Sequence, residues 1–384
     1  MRSPVLAILP RLCRAVRPCL TGPGLAVLLA GCAGLLPPVD GDLVLSFNVE
    51  AGRPLPAAGD PFFQEADLFD AVPGKTGSHA PTIVALDDGE LLAAWYSYSG
   101  PHELDGSALY TARRPPGGQW SDPRLHLDRP GGEGNPVLYA EGDRVWLFQA
   151  VTPLRWSSAH IELQCSLDRG RSWTPPRVVS DRLGSNVRFP PVRTPEGVLL
   201  LPAYDDLIRQ SLFYESTDGE SWRLRSWVHT DEPWANGQPS VARLSGGRLL
   251  AVMRNFGGGW LWAAASDDDG RSWSRPIDAG FPNPDAPAAL LGLGDDQLLL
   301  VFNDSPSGRI RLTAALSADG GLSWPHRRVL AEGPGPVAYP AAALAPDGTI
   351  HVVWSQQRLT IRHAAFNQAW VVADASGAQA GAGG

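Results

Sequence analysis

Short apolar runs of a few residues recur along this chain, each opened by a turn containing Gly or Asp. They read Asp88-Gly89-Glu-Leu-Leu-Ala-Ala-Trp95, Gly142-Asp-Arg-Val-Trp-Leu-Phe148, Gly197-Val-Leu-Leu-Leu201, Gly247-Arg-Leu-Leu-Ala-Val252, Asp296-Gln-Leu-Leu-Leu-Val301 and Gly348-Thr-Ile-His-Val-Val353. Runs this short, bounded by turn residues, predict β-strands; unbroken ones such as 298–301 predict strands buried on both faces. Each is preceded by a shorter strand: Pro81-Thr-Ile-Val, Pro136-Val-Leu-Tyr, Pro191-Val-Arg, Pro239-Ser-Val, Ala288-Ala-Leu-Leu and Pro340-Ala-Ala-Ala. Proline at a strand's first residue gives up no ladder hydrogen bond. No stretch carries a convincing 3.6-residue apolar period.

A second pattern sets the architecture. Ser166-Leu-Asp-Arg-Gly-Arg-Ser-Trp173, Ser216-Thr-Asp-Gly-Glu-Ser-Trp222, Ser266-Asp-Asp-Asp-Gly-Arg-Ser-Trp273 and Ser317-Ala-Asp-Gly-Gly-Leu-Ser-Trp324 begin 50, 50 and 51 residues apart. A fixed period of that size marks a repeat fold. Asp, Gly and Ser build the tight turn and Trp packs beneath it, so these motifs are read as structural turns, not ligand sites. Six strand pairs plus these turns predict an all-β fold, a six-bladed β-propeller of four-stranded antiparallel blades. A strand near Leu68-Phe-Asp-Ala-Val72 is expected to close the ring against the C-terminal strands.

Strand polarity then sorts residues by face. With the Asp-Gly turns and the Ser-x-Asp turns at the bottom, the top collects the starts of first strands: His79, Asn135, Arg188, Gln238, Asp285 and Tyr339. The ends of second strands add Tyr98, Asp205, Asp206, Arg254, Asn303 and Asp304, and two longer loops add Glu103, Asp105, Arg309 and Arg311. Arginines and carboxylates converging on one funnel suit an acidic, hydroxylated ligand, because a guanidinium grips a carboxylate through two parallel hydrogen bonds.

Charge and the chain ends refine the picture. The formal net charge is −8, and Arg2, Arg11, Arg14 and Arg17 stand in a leader without acidic residues, so its removal leaves −8 − 4 = −12. An acidic body without a basic run argues against nucleic acid as partner. The basic leader and the apolar run from Leu25 to Ala30 have the layout of a secretory signal over residues 1–31. Residues 32–66 read as a tether, 67–372 as the propeller and 373–384 as a disordered tail. Of four cysteines only Cys165 remains beyond residue 32, so the mature chain offers no internal disulfide; a buried, inert thiol is expected. No His or Cys cluster suggests a metal, and no cofactor is expected.

Two resemblances carry function. Leu29-Ala30-Gly31-Cys32 resembles the lipobox of bacterial lipoproteins, which implies a diacylated Cys32 and a protein held at the cell envelope, in the outer membrane, by its lipid alone. The four Ser-x-Asp boxes, their spacing and the six blades resemble the sialidase (neuraminidase) superfamily over residues 78–366. The phrases His79-Ala-Pro-Thr, Gly134-Asn-Pro-Val, Met253-Arg-Asn and Val301-Phe-Asn-Asp are similar to its bacterial BNR-repeat, exo-glycosidase branch. The resemblance implies a monomeric exo-glycosidase acting on a terminal acidic sugar of a glycan, sialic acid or an analogue. It places the acid/base at Asp105, with Glu103 nearby, and the nucleophile at Tyr339. Arg254 and Arg309 would clamp the substrate carboxylate, with His79 assisting and Arg311 as rival to Arg309; Gln238, Arg188 and Asn135 would join the substrate-binding pocket. Two positions depart from the family pattern. His79 stands where the first clamp arginine is expected, and Gln238 where a glutamate should take the tyrosine proton. Tyrosine's ordinary pKa is about 10, so attack at neutral pH needs a base or a strong positive field. Asp205, Asp206 or Asp285 are the substitutes for that base. A non-catalytic glycan-binding or assembly propeller, and an exo-hydrolase of a uronic-type sugar, are the alternatives.

Overall fold

Each predicted strand pair becomes the inner half of a four-stranded antiparallel sheet, and six such sheets are present. The computed structural model describes Leu55 and residues 59–230 and 236–373; Cys32, the leader, nearly all of the tether and the tail beyond 373 lie outside the described residues. Blade 1 comprises β2 (Gly77–Ala85), β3 (Leu91–Tyr98), β4 (Ala108–Arg114) and β5 (Arg124–Leu127). Blade 2 runs from β6 (Glu133–Glu141) and β7 (Arg144–Val151) to β8 (His160–Ser166) and β9 (Arg177–Ser180). In blade 3 the first strand is broken into β10 (Ser185–Val187) and β11 (Val192–Arg193), followed by β12 (Leu199–Asp205), β13 (Gln210–Ser216) and β14 (Arg223–Val228). Two adjacent prolines, Pro190 and Pro191, stand at that break and cannot donate to the ladder.

Blade 4 holds β15 (Asn236–Arg243), β16 (Leu249–Asn255), β17 (Gly259–Ser266) and β18 (Ile277–Asn283); blade 5 holds β19 (Ala289–Gly294), β20 (Gln297–Asn303), β21 (Arg311–Ser317) and β22 (His326–Glu332). Blade 6 takes β23 (Val337–Leu344), β24 (Ile350–Gln356) and β25 (Thr360–Phe366) from the C-terminal end. Its outermost strand is β1 (Phe63–Asp67), paired from Phe63 with Phe366 to Asp67 with Arg362. The closing strand is thus displaced a few residues from the expected 68–72, into the segment read as tether. Leu68, Phe69 and Val72 instead turn inward and pack with Trp95 and Ile361. Their apolar side chains mark a core contact, which the sequence pattern does not distinguish from a strand.

Apolar clusters occupy every seam of the ring. Leu92 and Leu109 meet Leu138 and Leu147 between blades 1 and 2, and Phe148 and Leu163 meet Leu201 and Leu212 between blades 2 and 3. The seams between blades 3 and 4, 4 and 5, 5 and 6, and 6 and 1 are filled in the same way. Each fully buried Leu or Phe contributes about 1.5–3 kcal/mol relative to exposure, which makes the seams the main source of cohesion. Trp370 on the short helix α1 (Gln368–Val372) covers the seam between blades 5 and 6. Cys165 is buried, and burial pushes its thiol pKa up.

The Ser-x-Asp boxes lock turns between third and fourth strands. In the first of them Asp168 Oδ1 accepts the Ser166 hydroxyl at 2.7 Å and the N–H of Ser172 at 2.8 Å, while Oδ2 accepts the Ser172 hydroxyl at 2.6 Å. The box glycine leans on the preceding blade: a Cβ on Gly170, at φ +78°, would lie 2.8 Å from Leu92 Cδ2. Backbone carbonyls of the turns also bind that blade, as when Trp146 Nε1 donates to Gly219 O at 2.9 Å. The boxes therefore fasten turns to neighbouring blades on the lower face, as expected of structural turns.

Candidate active site

The residues that reach the upper mouth are delivered by a recurrent bulge. Strands β2, β6, β15 and β23 slip register between His79 and Thr82, Gly134 and Val137, Gly237 and Ser240, and Ala338 and Ala341. In each, the residue before the proline adopts a left-handed φ: +49° at Ala80, +41° at Asn135, +49° at Gln238 and +59° at Tyr339. Such conformations in non-glycine residues cost about 1–3 kcal/mol each and cluster at functional sites; a bulge re-aims the side chain it carries. Asn135, Gln238 and Tyr339 thereby point into one cavity of about 220 Å³. Two of the bulges have glycine just before the left-handed residue, which lets an aromatic ring sit on the backbone. A Cβ on Gly134 would lie 2.5 Å from the Trp156 ring, and one on Gly237 2.5 Å from the Phe256 ring; both rings line the cavity.

Tyr339 is the centre of the electrostatics. Arg254 Nη1 stands 3.4 Å from its hydroxyl, and the guanidinium carbons of Arg188 and Arg309 lie 5.4 and 5.6 Å from its ring centroid. Burial by itself pushes the Tyr339 hydroxyl pKa up; Arg254 and then Arg309 outweigh it, so the pKa falls below the ordinary value. Tyr204 and Tyr96, in the same cavity wall, go well above it because burial dominates. Arg254 is itself held in place: its Nε donates to Asp285 Oδ1 at 2.7 Å and its Nη1 to Gln238 Oε1 at 2.9 Å. Gln238, where a carboxylate was expected, is thus an amide oxygen that orients the arginine.

The structure brings together Tyr339, Arg254, Arg309, Gln238 and Asn135. Arg309 donates to the Asp285 carbonyl and faces the cavity. Asn135 Nδ2 donates to Asn186 Oδ1 at 3.0 Å and to the Tyr204 hydroxyl at 3.2 Å. Four expectations need correction. Asp105 does not line the cavity; its Oδ2 accepts the His102 N–H at 3.0 Å and closes the loop in which it sits. Glu103 of the same loop faces the cavity instead. Arg311 pairs with Glu332 at 2.8 Å on the outside, which leaves Arg309 as the cavity arginine.

The third correction concerns His79, which lies behind Tyr339 rather than beside a ligand. It is 2% exposed, its ring centroid is 4.2 Å from that of Tyr339, and its Nδ1 is 2.8 Å from Ser355 Oγ. Burial first, then Arg358 and Arg188, push its pKa well below the ordinary value, so it is neutral and no substitute for a clamp cation. Arg188 is the fourth. It is 1% exposed and donates to the carbonyls of Pro81, Tyr339 and Pro340, at 3.0, 2.7 and 3.1 Å. It braces the Tyr339 backbone, and burial pushes its pKa down to about 10.

Arg358 was missed by sequence reasoning and lines the cavity. It stands in the tight hairpin between β24 and β25, where Gln357 and Arg358 have φ of +56° and +59°. Such a turn is normally announced by Asn or Gly, and neither occurs here, so no turn signal marks its place. Three carboxyl groups line the cavity, and they differ. Glu103 Oε1 accepts the Trp156 indole N–H at 3.0 Å and Oε2 lies 2.9 Å from Arg358 Nη1. Asp285 is held by Arg254. Asp206 makes no side-chain hydrogen bond or ion pair among the described residues, and burial raises its pKa against the opposing pull of Arg254 and Arg209. Asp205 points away, with Oδ2 on Arg182 Nε at 2.8 Å and Oδ1 on the N–H groups of Leu207 and Ile208.

Two larger hollows open on the lower face, about 450 Å³ beside Asp88, Arg114 and Asp347 and about 420 Å³ beside Ser245 and Asp296. Asp88 accepts the Glu90 N–H and Asp347 the Thr349 N–H, both in Asp-Gly turns, and Asp296 accepts the Ser245 N–H and hydroxyl. Size therefore ranks below chemistry: among the described residues, it is the upper cavity that converges arginines on a tyrosine hydroxyl.

Residues 89–352 match the BNR repeat-like domain family. The chain is 28% identical to a sialidase of Micromonospora viridifaciens, over 84% of this chain and 56% of that protein. It is 24% identical to a sialidase of Bacteroides fragilis strain YCH46, over 66% of this chain and 55% of that protein. It thus spans about half the length of the curated relatives it matches. The solved Hadza microbial sialidase Hz136 superposes with a TM-score of 0.69 at 18% identity, covering 80% of this chain and 69% of that one; the likeness is one of fold.

Proposed function

The chain belongs to the BNR repeat-like domain family of the sialidase superfamily, and we propose that it is a sialidase-type exo-glycosidase removing a terminal acidic sugar from a glycan. The observation that carries this reading is Tyr339: a partly buried phenol whose pKa is lowered by guanidinium groups, with Arg254 3.4 Å from its oxygen. Tyrosine nucleophiles are a recognised exception among glycosidases that otherwise use two carboxylates. The positive field does the work that a general base would do. Arg254 and Arg309 then attract the substrate carboxylate, and Arg358 adds a third positive charge to the cavity where His79 is neutral. A phenolate whose charge the arginines neutralise approaches the acidic sugar without strong repulsion.

The test is fluorophore release from an aryl sialic-acid glycoside, run beside a panel of aryl uronides. Sialic-acid turnover supports the reading, and turnover of a uronide alone moves the substrate class to uronic sugars. Gln238, an amide at the expected glutamate position, favours a second reading as a glycan-binding propeller. Measurable glycan binding with no hydrolysis of any substrate would establish that reading instead. Anchoring at the envelope through Cys32 belongs to the same proposal and is supported by the leader sequence. Labelled palmitate should enter the full chain in a bacterial host and not its Cys32→Ala variant; equal labelling of both would refute the anchor.

A further inference from the structure

We propose that Asp206, on blade 3, is the group that protonates the leaving oxygen; this rests on the glycosidase reading above. A proton donor must line the cavity, keep a carboxyl oxygen free for the glycosidic oxygen, and hold its proton near the working pH. Asp105 fails the first requirement because its carboxylate closes its own loop. Glu103 and Asp285 line the cavity, but both are ion-paired there: Glu103 Oε1 accepts the Trp156 indole N–H and Oε2 faces Arg358, while Asp285 Oδ1 accepts from Arg254 and Oδ2 lies 3.9 Å from Arg309. Asp206 meets both geometric requirements among the described residues.

Local structure explains why. Asp205 ends β12 and Asp206 follows it, so their side chains leave the strand on opposite sides. Asp205 goes to Arg182 and the turn N–H groups, which pins the backbone; the Asp206 N–H donates to Gly184 O at 2.8 Å. The neighbouring residue is thus presented rigidly to the cavity, with Tyr204 and Phe256 in the same wall. The charged groups acting on it are Arg254 and Arg209, which favour the carboxylate, and Asp205 and Glu103, which favour the acid. Burial is the largest influence and leaves the carboxyl pKa above its ordinary value.

In the first step the Asp206 proton passes to the glycosidic oxygen. The bond from that oxygen to the anomeric carbon breaks with its electron pair, and the aglycone departs as a neutral alcohol. The Tyr339 oxygen, having lost its proton to solvent, forms the new bond to the anomeric carbon. In the second step the Asp206 carboxylate takes a proton from water, whose oxygen attacks that carbon as the phenolate leaves. The sum is glycoside plus water giving sugar plus alcohol.

A proton donor matters in proportion to how poor the leaving group is, which gives the test. The full-length wild type, Asp206→Asn, Asp206→Glu and Glu103→Gln are compared on an aryl sialoside with an acidic phenol and on a sugar-linked sialoside. Asp206→Asn should lose about 10²–10⁴-fold in kcat/KM on the sugar-linked substrate and less than about tenfold on the aryl one. The alkaline limb of its pH profile should disappear, while Asp206→Glu restores part of the activity and that limb. Equal losses on both substrates, or the selective loss appearing in Glu103→Gln, would overturn the assignment. A wild type inactive on every leaving group would instead overturn the glycosidase reading on which it rests. Circular dichroism melts of the variants separate a lost proton donor from a lost fold.

Discussion

The lower turns and the upper cavity both carry aspartate and arginine, yet they put carboxylates to opposite use. In three of the four boxes both oxygens of the central aspartate, Asp168, Asp268 or Asp319, are filled from within the turn itself. Asp268 Oδ1 takes the Ser266 hydroxyl and the Ser272 N–H, and Oδ2 the Ser272 hydroxyl, at 2.7, 2.9 and 2.6 Å. Burial pushes the Asp268 pKa up, but these hydrogen bonds outweigh it and the carboxyl lies below the usual range. In the cavity the partners come from other blades, and Asp206 has none among the described residues, so burial prevails and the carboxyl moves the other way. A carboxylate satisfied by its own turn is a fastener. One left unpaired in an arginine-lined hollow is available for chemistry.

The sharpest way to break this contrast is to remove the cavity's central hydroxyl. Tyr339→Phe should lower kcat by at least about 10³-fold while the melt stays near that of the wild type, since removing a nucleophile leaves only binding and field effects. Activity within tenfold of wild type would show that Tyr339 is a wall of the pocket. Next in size is the field itself. Arg254→Leu should reduce kcat/KM by about 10²–10³-fold, and the acid limb of the pH profile should move upward. The sign follows from charge: taking away a guanidinium makes the phenolate harder to form, so the Tyr339 pKa rises. An unmoved limb would mean that the limb does not report Tyr339.

The smallest effect is expected on the lower face, and on stability alone. Asp268→Ala leaves turn N–H and hydroxyl groups unpaired, at a cost of about 1–3 kcal/mol, read as a fall of a few degrees in Tm with kcat unchanged. Because the folded carboxyl titrates below its unfolded value of about 4, its contribution is complete above that pH and fades as pH falls through the folded pKa. The Tm gap between variant and wild type should therefore narrow in acid. A gap independent of pH would assign the loss to packing, and a fall in kcat would tie the box to the upper site.

Much of the site was legible in the sequence where a strand end fixes a residue. Tyr339, Gln238 and Asn135 precede prolines at strand starts, and Arg254 closes a second strand; the topology alone carries these to the upper face. Loop residues were not legible in the same way. Asp105 and Glu103 are two positions apart, and the contacts of His102 with Asp105 and of Trp156 and Arg358 with Glu103 select which one faces the cavity. His79 was placed on the correct face, but its depth behind Tyr339 depends on Ser355, 276 residues away in sequence. Arg358 sits in a hairpin without glycine or asparagine, so it had no turn signature.

Sequence alone determined the blade count, the strand order within each blade and the fastening turns, because apolar runs, Asp-Gly turns and a fifty-residue spacing act through neighbours along the chain. Only the tertiary structure decided which carboxyls are free, which arginines touch the phenol and which strand closes the ring. Those outcomes depend on contacts between blades, where burial and charge from distant segments add at one point, and no local pattern records that sum.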